Sequence, residues 1–195
     1  MNDGSPVRLN VGCGRDIRPG WINLDSADLP GVDVRADLDM CATVPLPLAT
    51  DSIDEFVLSH VIEHVHATLP LMQELHRIAK PGATMTIFVP YGANDDAWED
   101  PTHVRAYFPG SFGYFSQPFY WRADYGYRGD WQPEKIILIF DEPTYRSMPP
   151  GRHLEYVRAT RNVVREMAAI LRAVKPVRPA QKELQSRVDV EVLIG

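Results

Sequence analysis

The segment Leu9-Asn10-Val11-Gly12-Cys13-Gly14 ends an apolar run on two glycines flanking a cysteine. A glycine turn directly after a strand lets backbone approach a ligand and can aim N–H groups at an anion. By itself it is very often only a turn. Two acids sharpen the reading. Asp25 closes the apolar run Trp21–Leu24, and Asp37 closes Val32–Ala36. Ligands of open parallel sheets bind outside the carboxyl ends of the strands. A carboxylate after the second strand can accept hydrogen bonds from both hydroxyls of a ribose. One after the third can accept from an adenine amino group, with Leu38 adding a backbone N–H for a ring nitrogen. Each Asp alone can equally cap a turn; the three features together favour a nucleoside. The stretch Gly12-Cys13-Gly14-Arg15-Asp16-Ile17 lacks the later glycine of the dinucleotide fingerprint. A pyrophosphate is therefore not expected, and a nucleoside with an amino-acid tail fits.

Two histidine-bearing segments follow. His60-Val61-Ile62-Glu63-His64 matches H-x-x-E-H, an inverted zinc-protease signature. On a helix His60 and His64 would share a face for zinc, with Glu63 as base. Against this, the motif follows directly on an apolar run, and no third ligand sits in a matching downstream helix, so no metal is expected. Asp100-Pro101-Thr102-His103-Val104-Arg105 lies in a long loop. His103 is a candidate general base, because its ordinary pKa is near neutrality; a purely structural hydrogen-bonding role is equally open. Asp100 and Arg105 could orient it or contact substrate. The aromatics from Tyr107 to Trp131 can form a substrate lid, a core packing the segment onto the sheet, or a homodimer face.

The elements that position these groups read as a Rossmann-like α/β sandwich. Short apolar runs at Val7–Val11, Trp21–Leu24, Val32–Ala36, Ile53–Leu58 and Thr84–Val89 suggest buried strands of a parallel sheet. Leu69, Met72, Leu75, His76 and Ala79 share a helical face. Thr68 can cap that helix, Pro70 suits its first turn, and Lys80-Pro81-Gly82 stops it. Lys135–Phe140 is a sixth run. Leu154, Val157, Val164, Met167, Leu171 and Val174 give an apolar stripe to a helix over about 153–174. Val188–Ile194 alternates apolar and acidic residues, as a strand with one wet face does. One domain over 1–195 is expected, with an aromatic lid segment over 90–133 and a helical insertion over 141–187 before the last strand.

Composition narrows the partners. The chain has 195 residues and a net charge of −6, so a large nucleic-acid footprint is disfavoured. Residues 1–133 hold 9 Lys and Arg against 18 Asp and Glu, net −9; residues 134–195 hold 11 against 8, net +3. That basic end is either a solvated face or a patch for an anionic partner. Two cysteines suit a reducing compartment. No apolar stretch reads as a signal or a membrane span, so a cytoplasmic protein without a membrane partner is expected.

With these residues in view, the chain resembles the class I S-adenosylmethionine-dependent methyltransferases, in particular the methyltransferase-11-type small domains. The resemblance rests on Leu9–Gly14, Gly20–Asp25, Ala36-Asp37-Leu38, Leu46-Pro47-Leu48 with Asp51–Asp54, Ser59–His64 and Leu75–Gly82, in that order, over about residues 7–90. It implies a seven-stranded, mostly parallel sheet with an antiparallel last strand, which Val188–Ile194 would fit. It also implies a site of Gly12, Cys13 and Gly14 around the methionine moiety, Asp25 on the ribose, and Asp37 and Leu38 on the adenine. Ser59 and His60 would lie beneath the cofactor near the methyl group, leaving His60 and His103 as the catalytic candidates. Only ten residues separate Gly14 from Asp25, too few for a full crossover helix. The first helix should shrink to a turn, with Arg15 or Arg18 as substitute holders of the methionine carboxylate. The activity implied is methyl transfer from S-adenosylmethionine to a small-molecule or glycan-type acceptor, releasing S-adenosylhomocysteine. A non-catalytic cofactor-binding subunit of the same fold is the alternative, and other chemistry on the same cofactor is a third possibility.

Overall fold

The computed structural model describes residues 5–148 and 151–194. Its strands are β1 Arg8–Val11, β2 Ile22–Asp25, β3 Val34–Arg35, β4 Ile53–Ser59, β5 Ala79–Pro90, β6 Trp131–Phe140, β7 Glu166–Ala173 and β8 Asp189–Ile194. They form one sheet in the order β3-β2-β1-β4-β5-β7-β6-β8. Neighbours run parallel except at β7, which is antiparallel to both β5 and β6. The Rossmann-like, mostly parallel sheet read from the sequence is present, with eight strands.

The antiparallel strand is β7, and β8 is an edge strand parallel to β6. The helix expected over 153–174 is helical only as α4, His153–Ala159, numbered after α1 Thr68–Ile78, α2 Asp96–Glu99 and α3 Glu142–Ser147. The region 141–187 is thus not a helical insertion but carries a central strand. Met167-Ala168-Ala169-Ile170-Leu171 has good helix formers, but it is buried almost throughout and paired along its length on both edges. Tertiary pairing overrides local propensity here. The helical path ends at Thr160, whose backbone is extended (φ −131°, ψ 133°), and Asn162 follows with a φ of 59° and a side chain that donates to Asp95. The alternation of Val188–Ile194 does give a strand with one wet face: Val190 and Val192 are partly buried against the core, while Asp189 and Glu191 are exposed.

α1 spans Thr68–Ile78 with Pro70 in its first turn, but Ala67 is the cap. The Thr68 hydroxyl instead donates to the carbonyl of Val65, 2.9 Å away. The helix passes straight into β5, and Gly82 adopts a φ of 79° within that strand. His76 on α1 is buried edge-on to Trp131, with Nε2 3.1 Å from the Val174 carbonyl. Burial lowers its pKa from the ordinary value of 6.5. Below about pH 6.5 the unfolded chain therefore binds a proton that the folded one refuses, so stability falls as pH falls through that window toward the lowered value. Urea unfolding from pH 7.5 to 5.5 should show this acid loss, and His76→Gln should flatten its contribution.

No helix joins β1 to β2; residues 12–21 are a loop, as the short spacing requires. Buried Asn10 and Asn23 take the place of helix packing. Asn10 Nδ2 donates to the Asp16 carbonyl at 2.7 Å and to Asn23 Oδ1 at 3.0 Å, and Asn23 Oδ1 also accepts from the N–H of Arg18 at 2.9 Å. Asn23→Ala strands these donors in a buried place, so a loss of about 1–3 kcal/mol is expected in urea unfolding.

The segment from Tyr91 to Asp130 is tied down mainly by packing. Tyr107, Phe112, Phe115, Tyr120 and Tyr127 join the core, whereas Trp98, Tyr114 and Tyr125 are exposed. Fully buried Asp130 accepts hydrogen bonds from Arg178 and from the N–H of Gln117. Among the described residues no helix is long and apolar enough to cross a membrane.

Candidate active site

Parallel strands bring their carboxyl ends to one edge. Val11 pairs with Leu24 on one side and Leu58 on the other, so Gly12, Asp25 and the Ser59–His60 bend emerge side by side. Ser59 pairs with Phe88, and antiparallel β7 begins at that same edge, with Glu166 opposite both Pro90 and Ile139. This register delivers a carboxylate from the start of β7 to the ends of β4, β5 and β6.

Two clefts open along this edge. The smaller, of about 230 Å³, is lined by Gly12, Asp25, Ser26, Asp37, Leu38, Asp39, His60, Val61, His64 and Val65. The larger, of about 600 Å³, is lined by His60, Pro90, Asp96, Glu99, Asp100, His103, Ile139, Phe140, Asp141, Arg165 and Glu166. His60 lines both. An apolar pocket of about 760 Å³ lies elsewhere, under the aromatic segment, and includes Arg105.

Of the cofactor residues read from the sequence, Gly12, Asp25, Asp37, Leu38 and His60 line the smaller cleft. Cys13, Gly14 and Ser59 line neither cleft. Cys13 is buried, its N–H donates to the Leu24 carbonyl, and burial raises its thiol pKa. The N–H of Gly14 donates to Asp25 Oδ2 at 2.8 Å, and that of Ala27 to Asp25 Oδ1 at 2.8 Å. A carboxylate offers about four acceptor positions, so Asp25 keeps two free while fixing the glycine turn. Gly12 has a φ of 61°, and a Cβ there would stand 2.7 Å from the Val61 methyls. Asp37 both lines the cleft and caps the short 3-10 helix Leu38–Ala42, accepting from the N–H of Asp39 at 3.0 Å. Leu38 opens that helix, where backbone N–H groups have no intrahelical partner. Arg18 pairs with Asp16 at 3.2 Å and lies over Trp21. Among the other cleft residues, Val61 and His64 belong to the quoted His60–His64 motif and Asp39 follows Asp37-Leu38, while Ser26 and Val65 carry no sequence signal; nothing in the sequence aims any of the five at the cleft.

His60 adopts a φ of 54°, a conformation that strains a non-glycine residue and gathers at functional sites. Its Nε2 is 2.7 Å from Glu166 Oε1 and its Nδ1 is 3.4 Å from Glu63 Oε1. Glu63 does most to raise the His60 pKa, burial opposes it, and Glu166 adds to the rise. Residues 61–64 are not an α-helix: Ile62–His64 is one 3-10 turn after the bend at His60. The helical zinc-protease face is therefore absent. His103 lines the larger cleft and packs edge-on to His64, with centroids 4.6 Å apart. Its Nε2 is 3.9 Å from Asp100 Oδ2, and its buried Nδ1 has no hydrogen-bond partner among the described residues. Hydrogen bonds from the Thr102 hydroxyl and N–H hold the Asp100 carboxyl below its ordinary range.

The comparisons with known proteins agree with this geometry. Residues 9–87 match the family model described as a methyltransferase domain. Among solved structures, an S-adenosylmethionine-dependent methyltransferase from Archaeoglobus fulgidus superposes with a TM-score of 0.63 at 16% identity, over 87% of this chain and 86% of that one. A putative methyltransferase from Bacillus halodurans gives 0.56 at 13% identity, over 89% and 94%. The putative methyltransferase of Haloferax volcanii, in complex with the Trm112 methyltransferase activator, gives 0.54 at 15% identity, over 87% and 83%. No curated protein matches the sequence. The methyltransferase-domain match covers about two-fifths of the chain, residues 9–87, and the solved structures share its fold. The matched family model is that of a methyltransferase domain, whose chemistry is methyl transfer.

Proposed function

We propose that the smaller cleft holds the cofactor and that the larger one receives a small-molecule or glycan-type acceptor, with His60 at the junction. The observation that carries this reading is that His60 lines both clefts. The residues of the smaller cleft fit the cofactor: Asp25 retains acceptor capacity for a ribose, Asp37 and Leu38 offer a carboxylate and a backbone N–H for an adenine edge, and glycine at position 12 lets the turn pack directly against Val61. When bound, the cofactor supplies a sulfonium methyl. The chain's part is to hold the acceptor in line with that methyl and to take its proton. Positioning supplies much of such an acceleration. Half-exposed His60 is the better placed base once it has passed a proton to Glu166, 2.7 Å from its Nε2, while the Nδ1 of His103 is buried.

Asp96, Glu99, Asp100, Asp141 and Glu166 line the acceptor cleft against Arg165. Carboxylates accept hydrogen bonds from hydroxyls and attract amines, and they repel polyphosphates. That favours neutral or basic polyhydroxylated acceptors over nucleic acid. The test is S-adenosylhomocysteine release across a panel of glycosides, amino sugars and small amines. Acceptor-dependent release supports the reading. Tight cofactor binding without release on any acceptor would favour a non-catalytic subunit.

A further inference from the structure

Glu63, His64 and His103 each offer one ligand atom, and the three atoms lie within 4.8 Å of one another. We propose that they form a site for a divalent first-row transition cation at the junction of the two clefts. The donor set is one carboxylate and two imidazoles, which suits such metals.

Two independent observations point to a ligand. The Glu63 side chain is 2% exposed, and neither of its oxygens has a hydrogen-bond partner among the described residues. The nearest cation is His60, whose Nδ1 is 3.4 Å from Oε1. Buried charges are otherwise paired or coordinate metals. The second is the unpartnered, buried Nδ1 of His103, on a side chain only 9% exposed. A buried carboxylate with only the 3.4 Å ion pair to His60 and an unpartnered imidazole nitrogen thus come together with His64 within 4.8 Å.

The surrounding hydrogen bonds set both rings for coordination. The Thr102 hydroxyl donates its proton to Asp100 Oδ1 at 2.6 Å. It can therefore only accept from His64 Nδ1, 2.9 Å away. That places the His64 proton on Nδ1 and leaves the Nε2 lone pair for a metal. Asp100 Oδ2 lies 3.9 Å from His103 Nε2, beyond hydrogen-bond reach, and a small approach of that carboxylate would hold the proton there and leave the lone pair on Nδ1. A carboxylate or hydroxyl holding the far nitrogen is how metal-bound histidines are oriented. A cation at about 2.0–2.2 Å from each ligand would need only small inward side-chain rotations. His64 lines the cofactor cleft and His103 the acceptor cleft. Three protein ligands leave open positions for acceptor oxygens, a role that rests on the acceptor reading above; the cation site itself does not.

The test uses the full chain, freed of metal with a chelator, and titrates it with Zn²⁺ and Co²⁺ by calorimetry and visible absorption. S-adenosylmethionine binding is measured on the same samples. One equivalent should bind, with Co²⁺ d–d bands of nitrogen and oxygen ligation. Asp100→Asn should weaken binding about 10–100-fold, and Glu63→Gln and His103→Ala at least as much. Cofactor binding by the variants reports that they fold; if Glu63→Gln does not, His103→Ala at the cleft wall still decides. Absence of saturable binding, or binding unchanged in the variants, overturns the site. Failure of cofactor binding in the unaltered chain would instead overturn the placement of the nucleoside.

Discussion

Asp25→Ala should weaken S-adenosylmethionine binding by about 100-fold. Charge-assisted hydrogen bonds contribute about 1.5–3 kcal/mol each, and a ribose offers two hydroxyls to the positions that Gly14 and Ala27 leave free on this carboxylate. A loss of about 3 kcal/mol is two powers of ten in affinity. The variant also releases the N–H of Gly14, loosening the turn at Gly12, so the full effect should exceed the direct one. Isothermal titration with the cofactor and with S-adenosylhomocysteine checks it. Asp25→Asn separates the two contributions, because the amide oxygen can still accept from Gly14 while the charge is gone. Affinity for both ligands within three-fold of the unaltered chain would mean that Asp25 only shapes the turn.

The lining of the smaller cleft is legible in the sequence because its signals are local. A glycine that must adopt positive φ, and acids at the ends of short apolar runs, lie within one or two residues of the strands that aim them. The missing helix between β1 and β2 was legible from a count of residues. The partners that make this possible were not: Asn10 and Asn23 look like ordinary polar interruptions of strands until their pairing across the sheet is known.

The larger cleft is less legible for a physical reason. The segment that became β7 is rich in Met, Ala and Leu, and its apolar residues also fall at helical spacing. Only insertion between β5 and β6 makes it a strand, and that register is a long-range fact. Reading it as a helix hid Glu166, which the strand's start carries to 2.7 Å from His60. The H-x-x-E-H run shows the converse. Its composition suggested a metal on a helical face, yet the positive φ of His60 and the 3-10 turn send His60 toward the clefts while Glu63 and His64 turn toward His103.

His60→Asn should lower the rate of methyl transfer by about 10²–10⁴-fold while changing cofactor affinity much less, the loss expected for removing a positioned acid–base group. Asparagine is the informative replacement because it tolerates the left-handed backbone that His60 adopts. The variant therefore isolates the imidazole from the strained bend. His60 is held from two sides, by Glu166 at the start of β7 and by Glu63 behind it, so Glu166→Gln should reproduce part of the loss by freeing the ring. Single-turnover transfer to an acceptor found in the panel, set beside calorimetric cofactor affinity, distinguishes the outcomes. A fall in rate at constant affinity assigns His60 to the transfer itself. Parallel falls in both would make it a wall of the cofactor cleft, and an unchanged rate would remove it from the chemistry and leave positioning by the acidic cleft as the principal contribution of the chain.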